Sequence, residues 1–518
     1  MDYRSPSALT PHSSPLAPHS RLLCLSNGHG EDIIAVRIVQ ELQQLCPNLD
    51  IAALPIVGEG KAYTRLGIPL IGSVKTMPSG GFIYMDGRQL LGDIQGGLLQ
   101  LTGKQLRAIR QWMQGAGSRE QGAGSRGDKE DKGDKGDKEK RAEGAGGAEE
   151  AIQFLPHTFS SRTMHHSLHP TPYTLHPTPH TLVLAVGDIV PLLFAWWSGA
   201  NYAFVGTAKS EYYVRDENGV LPGRSPFAHL EHWSGSIYHP WERYFMSHRR
   251  CRAVFPRDSL TAKILQQHGV PAFDRGNPMM DRLEPSQLFV EETSQALKIL
   301  LLPGSRPPEV YRNWELILQA VTDLIVTFGD RPLVFLAAIA PNLDLEPFCQ
   351  ALVKTGFSET PLVKGGWGDL ARAGLSDISA IARTPQPNSP LQESLVLTFR
   401  QKNAFVILTQ HAYNDCLHQA QIAIAMAGTA TEQFIGLGKP AIIMPGQGPQ
   451  FTYAFAEAQS RHFGESITFV QNPHQVGDAI AALLSNPDKL QSIAENGIRR
   501  MGKLGAARRI AECLIENF

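Results

Sequence analysis

Two short turns carry the residues best suited to chemistry, and they lie about 120 positions apart. The first is LLPGSRPPEV at 301–310 and the second is AMAGTATEQF at 425–434. Each begins in an apolar, strand-like run and opens a helix-like segment. In an α/β fold both turns would lie at the carboxyl edge of one parallel sheet, where ligands bind. The pair therefore predicts a site for a nucleotide diphosphate.

The residue types in the turns suit a phosphate group. In the first turn, backbone N–H groups around Gly304 and the hydroxyl of Ser305 can donate to phosphate oxygens, and Arg306 supplies charge. The alternative is an ordinary strand-to-helix turn with a surface arginine. Glu309 opens the following helix, where it either orients Arg306 or interacts favourably with the helix dipole. The second turn supplies small residues at a helix N-terminus, a ready anion site: Gly428, Thr429, Ala430 and Thr431.

The elements that would position these turns follow an alternating strand and helix pattern in both halves of the chain. Such alternation predicts parallel sheets with right-handed crossovers. We expect an α/β fold of two Rossmann-like, doubly wound domains facing across a cleft. The predicted order is a disordered leader (1–20), an N-terminal domain (21–283) with a disordered repeat insert (114–181), a linker (284–296), a C-terminal nucleotide-binding domain (297–495) with a loop insert (372–396), and a helical segment (496–518) that packs back on the N-terminal domain.

Composition excludes several classes of protein. At 518 residues with 42% hydrophobic side chains the chain has core enough for two or three domains. A formal net charge of −1 argues against a nucleic-acid binder. The six cysteines form no CxxC pair, which favours a reducing cytoplasm. The apolar run at 182–206 contains Asp188 and Pro191 and is predicted to be a strand, a turn and a helix rather than a membrane span.

The second half resembles the lipid-A-disaccharide synthase family, glycosyltransferase family 19. The resemblance rests on LLPGSRPPE at 301–309, on AGTATEQ at 427–433, on GNPMMD at 276–281 and, loosely, on SNGHGED at 26–32. It implies the GT-B fold and an inverting, UDP-sugar-dependent transfer of a hexosamine-like sugar to a lipid-linked acceptor. It also implies peripheral association with the inner face of the plasma membrane. No DxD motif occurs where a metal-dependent transferase needs one, so we expect neither metal nor cofactor.

The resemblance also implies roles for individual residues in nucleotide-sugar binding. Asn277 belongs to the segment before the linker, and the glutamate that grips the ribose in the family falls on Gln433. Glu432 takes the place of the family's leucine and, one residue away on a helix, points about 100° from that position. Gln450 is expected to face the sugar or the uracil, with a polar surface loop as the alternative.

Catalysis by inverting transfer requires a base for the acceptor hydroxyl. The first Gly-rich turn offers three candidates: Asp32 matches the family in register, His29 has an ordinary pKa nearest neutrality, and Glu31 lies between them. The alternative is that Glu31 or Asp32 only caps the helix. Asp188, which follows another strand, is the reserve candidate and is equally suited to capping.

The acceptor side is predicted from an apolar, Gly-rich segment at 77–101. In the resembled family this region receives lipid and touches the membrane surface. The alternative is a helix that packs in the core. The residues expected to contact lipid are Met77, Phe82, Ile83, Leu90 and Leu91. Two rival functions remain: a UDP-N-acetylglucosamine 2-epimerase-like isomerase, and a non-catalytic binder of nucleotide sugar or lipid.

Overall fold

A computed structural model describes most of the chain. The described residues are 20–28, 30–72, 98–114, 181–222, 233–285, 296–329, 331–360, 396–448 and 451–518. The chain divides into two compact units, one of Met1–Met113 with Pro179–Phe518 and one of Gln114–Thr178. The elements below belong to the first unit, save that one helix ends at Gln114. The repeat insert, the core of the linker, most of the loop insert and the leader up to residue 19 lie outside the described residues.

The strands are short and most are continuous apolar runs, as expected of strands covered on both faces. In chain order they are β1 (Arg21–Ser26), β2 (Asp50–Pro55), β3 (Thr181–Gly187), β4 (Asn201–Gly206), β5 (Arg215–Asp216), β6 (Gly219–Val220), β7 (Cys251–Phe255), β8 (Leu297–Leu302), β9 (Leu333–Ala338), β10 (Ser358–Glu359), β11 (Leu397–Gln401), β12 (Ala404–Thr409), β13 (Ile422–Ala425), β14 (Ala441–Ile443) and β15 (Ile467–Phe469).

The helices follow or connect these strands and cover the sheets. In chain order they are α1 (Gly30–Leu45), α2 (Lys61–Thr64), α3 (Leu98–Gln114), α4 (Ile189–Trp197), α5 (Pro240–Met246), α6 (Ser259–Gln267), α7 (Glu309–Phe328), α8 (Glu346–Lys354), α9 (Tyr413–Gln419), α10 (Thr429–Gly436), α11 (Tyr453–Phe463), α12 (Val476–Leu484), α13 (Pro487–Met501) and α14 (Ala506–Asn517). Among the helices that the structure describes, none has the length and apolar character needed to cross a bilayer.

The N-terminal sheet is parallel, with strand order β2-β1-β3-β4-β7. When these five strands are renumbered 1 to 5 in chain order, the sheet order is 2-1-3-4-5. This is a doubly wound arrangement whose direction reverses between β1 and β3. Ligands bind where such a reversal separates the two connecting segments. The residues after β1 and β3 therefore flank one candidate site. The predicted strand and helix at 182–206 are confirmed as β3 and α4, with the turn at Asp188 between them, and the same run also contains β4, which was not predicted.

The C-terminal sheet has the order β10-β11-β12-β9-β8-β13-β14-β15. The strands from β12 to β15 are parallel, and β10 and β11 add an antiparallel edge. Within the parallel part the order is 3-2-1-4-5-6, which is the Rossmann order. Its reversal lies between β8 and β13. The predicted fold class of two Rossmann-like, doubly wound domains is confirmed.

The C-terminal helix α14 packs on the N-terminal domain, although its sequence follows the C-terminal domain. Ala507, Ile510 and Leu514 of α14 join a buried cluster with α1 and the N-terminal sheet. Asp281 fastens the start of this helix, because its carboxylate accepts the backbone N–H groups of Ala506 at 3.0 Å and Ala507 at 2.7 Å. The chain thus returns to the N-terminal domain after the C-terminal domain, and Asp281 fixes the point of return.

Replacing Asp281 with Ala should lower the free energy of unfolding by about 2 kcal/mol, since buried helix N–H groups lose their acceptor. Chemical denaturation of the full chain measures the change. Asp274→Ala is the matched control, because that side chain is exposed in the same segment, and it should change the free energy by less than about 0.5 kcal/mol. Equal effects of the two substitutions would contradict the capping role.

Candidate functional site

The two predicted turns lie side by side at the carboxyl edge of the C-terminal sheet. β8 and β13 are parallel neighbours, and Leu302 at the end of one strand is in register with Ala425 at the end of the other. The N–H of Met426 also donates to the carbonyl of Leu302 at 2.8 Å. The predicted proximity of the turns is therefore confirmed, and it falls at the reversal of strand order.

The first turn leaves its polar side chains at the surface. Ser305 and Arg306 are exposed, next to Gly304. Gly304 has a φ of +104°, and a Cβ there would lie 3.3 Å from the carbonyl oxygen of Met426. Glycine is required because an L-residue disfavours this φ and would crowd the second turn. The turn can thus come close to its neighbour and to a ligand.

Glu309 has a role that the sequence did not suggest. Its carboxylate is buried and accepts the backbone N–H of Phe451 at 2.6 Å. A Cβ at Gly448 would lie 2.2 Å from the carboxyl carbon of Glu309. Glu309 therefore holds the segment after β14 against the start of α7. Phe451 is buried, so its ring packs in the core, whereas Gln450 lies outside the described residues.

The second turn opens α10, whose N-cap is Gly428. Thr429 is exposed and Ala430 is half-buried. The first N–H groups of a helix have no acceptor within the helix, so they are available to an anion. Thr431 is buried, and its hydroxyl donates to the carbonyl of Ala427 at 2.6 Å. Gly428, Thr429 and Ala430 can thus face a ligand, and Thr431 supports the turn from inside.

Three residues expected at the nucleotide have partners within the protein instead. Gln433 accepts the hydroxyl of Tyr413 at 2.6 Å and donates to the carbonyl of Met279 at 2.8 Å. Asn277 accepts the N–H of Met279 at 3.0 Å and begins a 3₁₀ turn. Both side chains fix the segment that precedes the linker. Both polar atoms of the Gln433 amide and the amide oxygen of Asn277 are thus engaged within the protein.

Glu432 is the third residue, and it joins the two domains. It forms an ion pair of 2.7 Å with Arg257, which follows β7 in the N-terminal domain, and both side chains are nearly buried. A second guanidinium nitrogen of Arg257 donates to the carbonyl of Thr207 at 3.1 Å. Nearby, the rings of Tyr213 and His462 stack across the same interface at 4.6 Å. The second turn, in the C-terminal domain, is thus anchored to the N-terminal domain.

His462 is buried in this interface, and neither ring nitrogen has a hydrogen-bond partner among the described residues. Burial lowers its pKa well below 6.5, and the cations Arg257 and Arg500 lower it further. The imidazole is therefore neutral at physiological pH and acts as a flat packing surface for Tyr213.

The N-terminal sheet brings a group of carboxylates to its own reversal point. Burial raises the pKa of Glu31 to about 7, and the nearby Asp188 and Asp32 add to the effect. The hydroxyl of Thr207 lies 3.4 Å from Oε1 of Glu31. Burial also raises the pKa of Asp188, which caps α4 by accepting the N–H of Val190 at 2.9 Å. A carboxylate whose pKa is near 7 is suited to remove a proton at neutral pH.

The other two candidate bases differ from Glu31. Asp32 is buried and accepts the hydroxyl of Ser26 at 2.6 Å, and Ser26 also contacts the hydroxyl of Tyr63 at 2.7 Å. These contacts hold Asp32 to β1 and fix the start of α1, which is a structural role other than the helix cap that the sequence offered as the alternative. His29 lies outside the described residues, as do the five predicted lipid contacts Met77, Phe82, Ile83, Leu90 and Leu91.

Arg257 was missed by sequence reasoning. The segment around it predicts a strand followed by a capped helix, and Asp258 does cap α6. Its partner Glu432 is 175 positions away, so no local pattern could reveal the ion pair. Within the described residues, no group of three or more histidine, cysteine, aspartate or glutamate side chains is placed to hold a metal ion.

Comparisons with known proteins give similarity to solved structures alone. No family model matches the chain, and no curated protein does. Among the similar structures is MnaA from S. aureus with UDP, at 11% identity and a TM-score of 0.47, covering 96% of each chain. UDP-GlcNAc 2-epimerase from Neisseria meningitidis, bound to UDP-GlcNAc, has 11% identity and a TM-score of 0.44, covering 96% of this chain and 100% of its own.

MurG from Acinetobacter baumannii is similar to the same degree, with 12% identity and a TM-score of 0.44 over 96% of this chain and 100% of its own. Because these TM-scores are below 0.5, the fold assignment rests on the strand order of the two sheets.

The raised pKa of Glu31 predicts how stability depends on pH. Between its ordinary value of 4.5 and about 7 the native state keeps a proton that the unfolded chain has lost, so Glu31 makes stability fall as pH rises through this window. Glu31→Gln should therefore be more stable relative to the wild type at pH 8 than at pH 5, by roughly 1–3 kcal/mol. Urea unfolding at both pH values measures this difference. Glu315→Gln, an exposed control, should show no such pH dependence.

The ion pair between Arg257 and Glu432 should be strongly coupled. Arg257→Leu leaves a buried carboxylate without its cation and should cost about 3 kcal/mol of stability. A double-mutant cycle with Glu432→Leu should give a coupling energy above about 1 kcal/mol. The control cycle uses Arg461 and Glu457, a half-buried pair four residues apart on α11, for which about 0.5 kcal/mol is expected. Coupling no larger than in the control would show that the pair does not join the domains.

Proposed function

We propose that this protein is an inverting glycosyltransferase that moves a hexosamine-like sugar from a UDP-sugar to a lipid-linked acceptor. The observation that supports it best is the joining of two sheet-reversal points. The two turns that follow β8 and β13, here called the anion cradle, are linked to the carboxylates after β1 and β3. The link runs through Glu432, Arg257 and Thr207. A donor cradle and a base on opposite domains are what a two-substrate transfer requires.

In the proposed donor half, the diphosphate occupies the two adjacent turns. The N–H groups at the start of α10 and beside Gly304 donate to its oxygens, and Arg306 contributes a positive charge from the exposed side. These groups would stabilise the negative charge that develops on the leaving UDP. Gln433 and Asn277 then support the domain junction rather than the ribose.

In the proposed acceptor half, Glu31 is the base. It takes the proton of the acceptor hydroxyl as that oxygen bonds to the anomeric carbon, and the bond from that carbon to the phosphate oxygen breaks. UDP leaves with the bonding electron pair, and the configuration at the carbon inverts. The pKa of about 7 leaves much of Glu31 ionised at neutral pH. Asp32, already bonded to Ser26, is assigned to structure.

The lipid acceptor and the inner face of the plasma membrane are proposed from the resemblance of the sequence to the lipid-A-disaccharide synthase family. The contacts assigned to the acyl chain remain Met77, Phe82, Ile83, Leu90 and Leu91. An isomerase acting on a UDP-sugar is the second candidate. Its support is the pair of neighbouring carboxyl groups Glu31 and Asp188, both with raised pKa values, because proton removal and return at a sugar carbon need two such groups.

Incubation with UDP-N-acetylglucosamine labelled in the sugar tests the proposal, with and without vesicles of extracted membrane lipid. We expect UDP release and label in the lipid only when vesicles are present. Glu31→Gln should reduce this turnover by at least about 100-fold, Glu315→Gln should not, and the wild-type rate should rise with pH through about 7 as Glu31 ionises. An epimer formed without lipid would instead support the isomerase, and bound but unchanged UDP-sugar would identify a non-catalytic binder.

A further inference from the structure

Each of the two turns begins with a carbonyl that a buried side chain holds from the core. The side-chain amide of Asn313, on α7, donates to the carbonyl of Pro303 at 3.0 Å. In the second turn the carbonyl of Ala427 accepts the hydroxyl of Thr431 at 2.6 Å and the amide of Gln459, on α11, at 3.3 Å. All three donors are buried. The same arrangement thus occurs at both turns, built from different elements.

The direction of these carbonyls fixes the direction of the next N–H groups. A trans peptide is planar, so the N–H of Gly304 points opposite to the carbonyl of Pro303, and the N–H of Gly428 points opposite to that of Ala427. With the carbonyls turned to the core, both N–H groups face the edge where Ser305 and Thr429 are exposed. A reversed peptide would present a carbonyl oxygen there, which repels an anion.

The cost of this arrangement argues against simple packing. Asn313 and Gln459 each use the amide nitrogen and leave the amide oxygen buried, without a hydrogen-bond partner among the described residues. A buried polar atom without a partner is unfavourable, and an apolar side chain of the same size would avoid it. The donors are therefore retained for what they do to the two carbonyls.

We propose that Asn313, Thr431 and Gln459 are positioning residues that aim the two turns at the diphosphate. This inference rests on the proposed function, in which the turns bind a UDP-sugar. The three side chains touch no substrate; they act through the peptide groups 303–304 and 427–428. Their removal should weaken binding of the diphosphate part and leave the nucleoside part unaffected.

Calorimetric titration of the full chain with UDP, uridine and inorganic pyrophosphate tests this inference. Asn313→Leu and Thr431→Val keep the side-chain volume and remove the donor. Each should raise the Kd for UDP and for pyrophosphate by about tenfold, roughly the contribution of one well-placed charge-assisted hydrogen bond, and leave the Kd for uridine unchanged. Thr431→Ser keeps the hydroxyl and should restore wild-type binding. Should Asn313→Leu fail to fold, the Thr431 pair of variants decides alone.

The outcomes separate this inference from the proposed function. Folded variants that bind UDP as the wild type does, or that lose uridine and UDP affinity equally, would overturn the positioning role. The wild type could bind pyrophosphate as tightly as UDP, which would mean that the uridine adds no affinity. If the variants still raise the Kd for pyrophosphate in that case, the positioning role holds while the UDP-sugar function fails. If the wild type binds none of the three probes, both are overturned.

Discussion

The parallel pairing of β8 with β13 is the constraint on which the candidate donor site depends. These strands are far apart in the sequence, yet Leu302 and Ala425 end them in register. Because the strand order reverses between them, the helices that follow, α7 and α10, leave toward opposite sides and open a crevice above the shared edge. The helix start, the exposed Ser305 and the glycine-dependent turn meet there only because of this pairing.

The first residues of α10 are placed to face a ligand, and the residues one helical turn later make contacts between the domains. Thr429 and Ala430 lie at the open start of α10, whereas Glu432 and Gln433 make contacts with Arg257 and with Met279. Positions three and four apart lie on the same face of a helix, so the two purposes are separated by one turn along the axis of α10 and not by its faces. Glu432 and Gln433, both expected at the nucleotide, therefore join the domains instead.

Sequence patterns predicted what depends on local order. Apolar runs broken by small residues were enough to predict two parallel sheets. They also predicted that the two turns lie close together, because parallel strands end at one edge. They could not predict that Glu309 would hold Phe451, or that Arg257 would meet Glu432, since these contacts join positions 142 and 175 residues apart. They also left Glu31 and Asp32 undistinguished, because the difference between them depends on which of the two adjacent carboxylates accepts the hydroxyl of Ser26.

Thr207 links the candidate base to the candidate cradle. Its hydroxyl lies near Glu31, and its carbonyl accepts Arg257, which in turn pairs with Glu432 at the start of α10. The distance from base to cradle is thus set by a short series of polar contacts rather than by the linker. Any movement that separates the domains must break the buried ion pair, whose loss costs far more than that of an exposed pair. The position of Glu31 relative to the two turns therefore depends on the contact between the two domains.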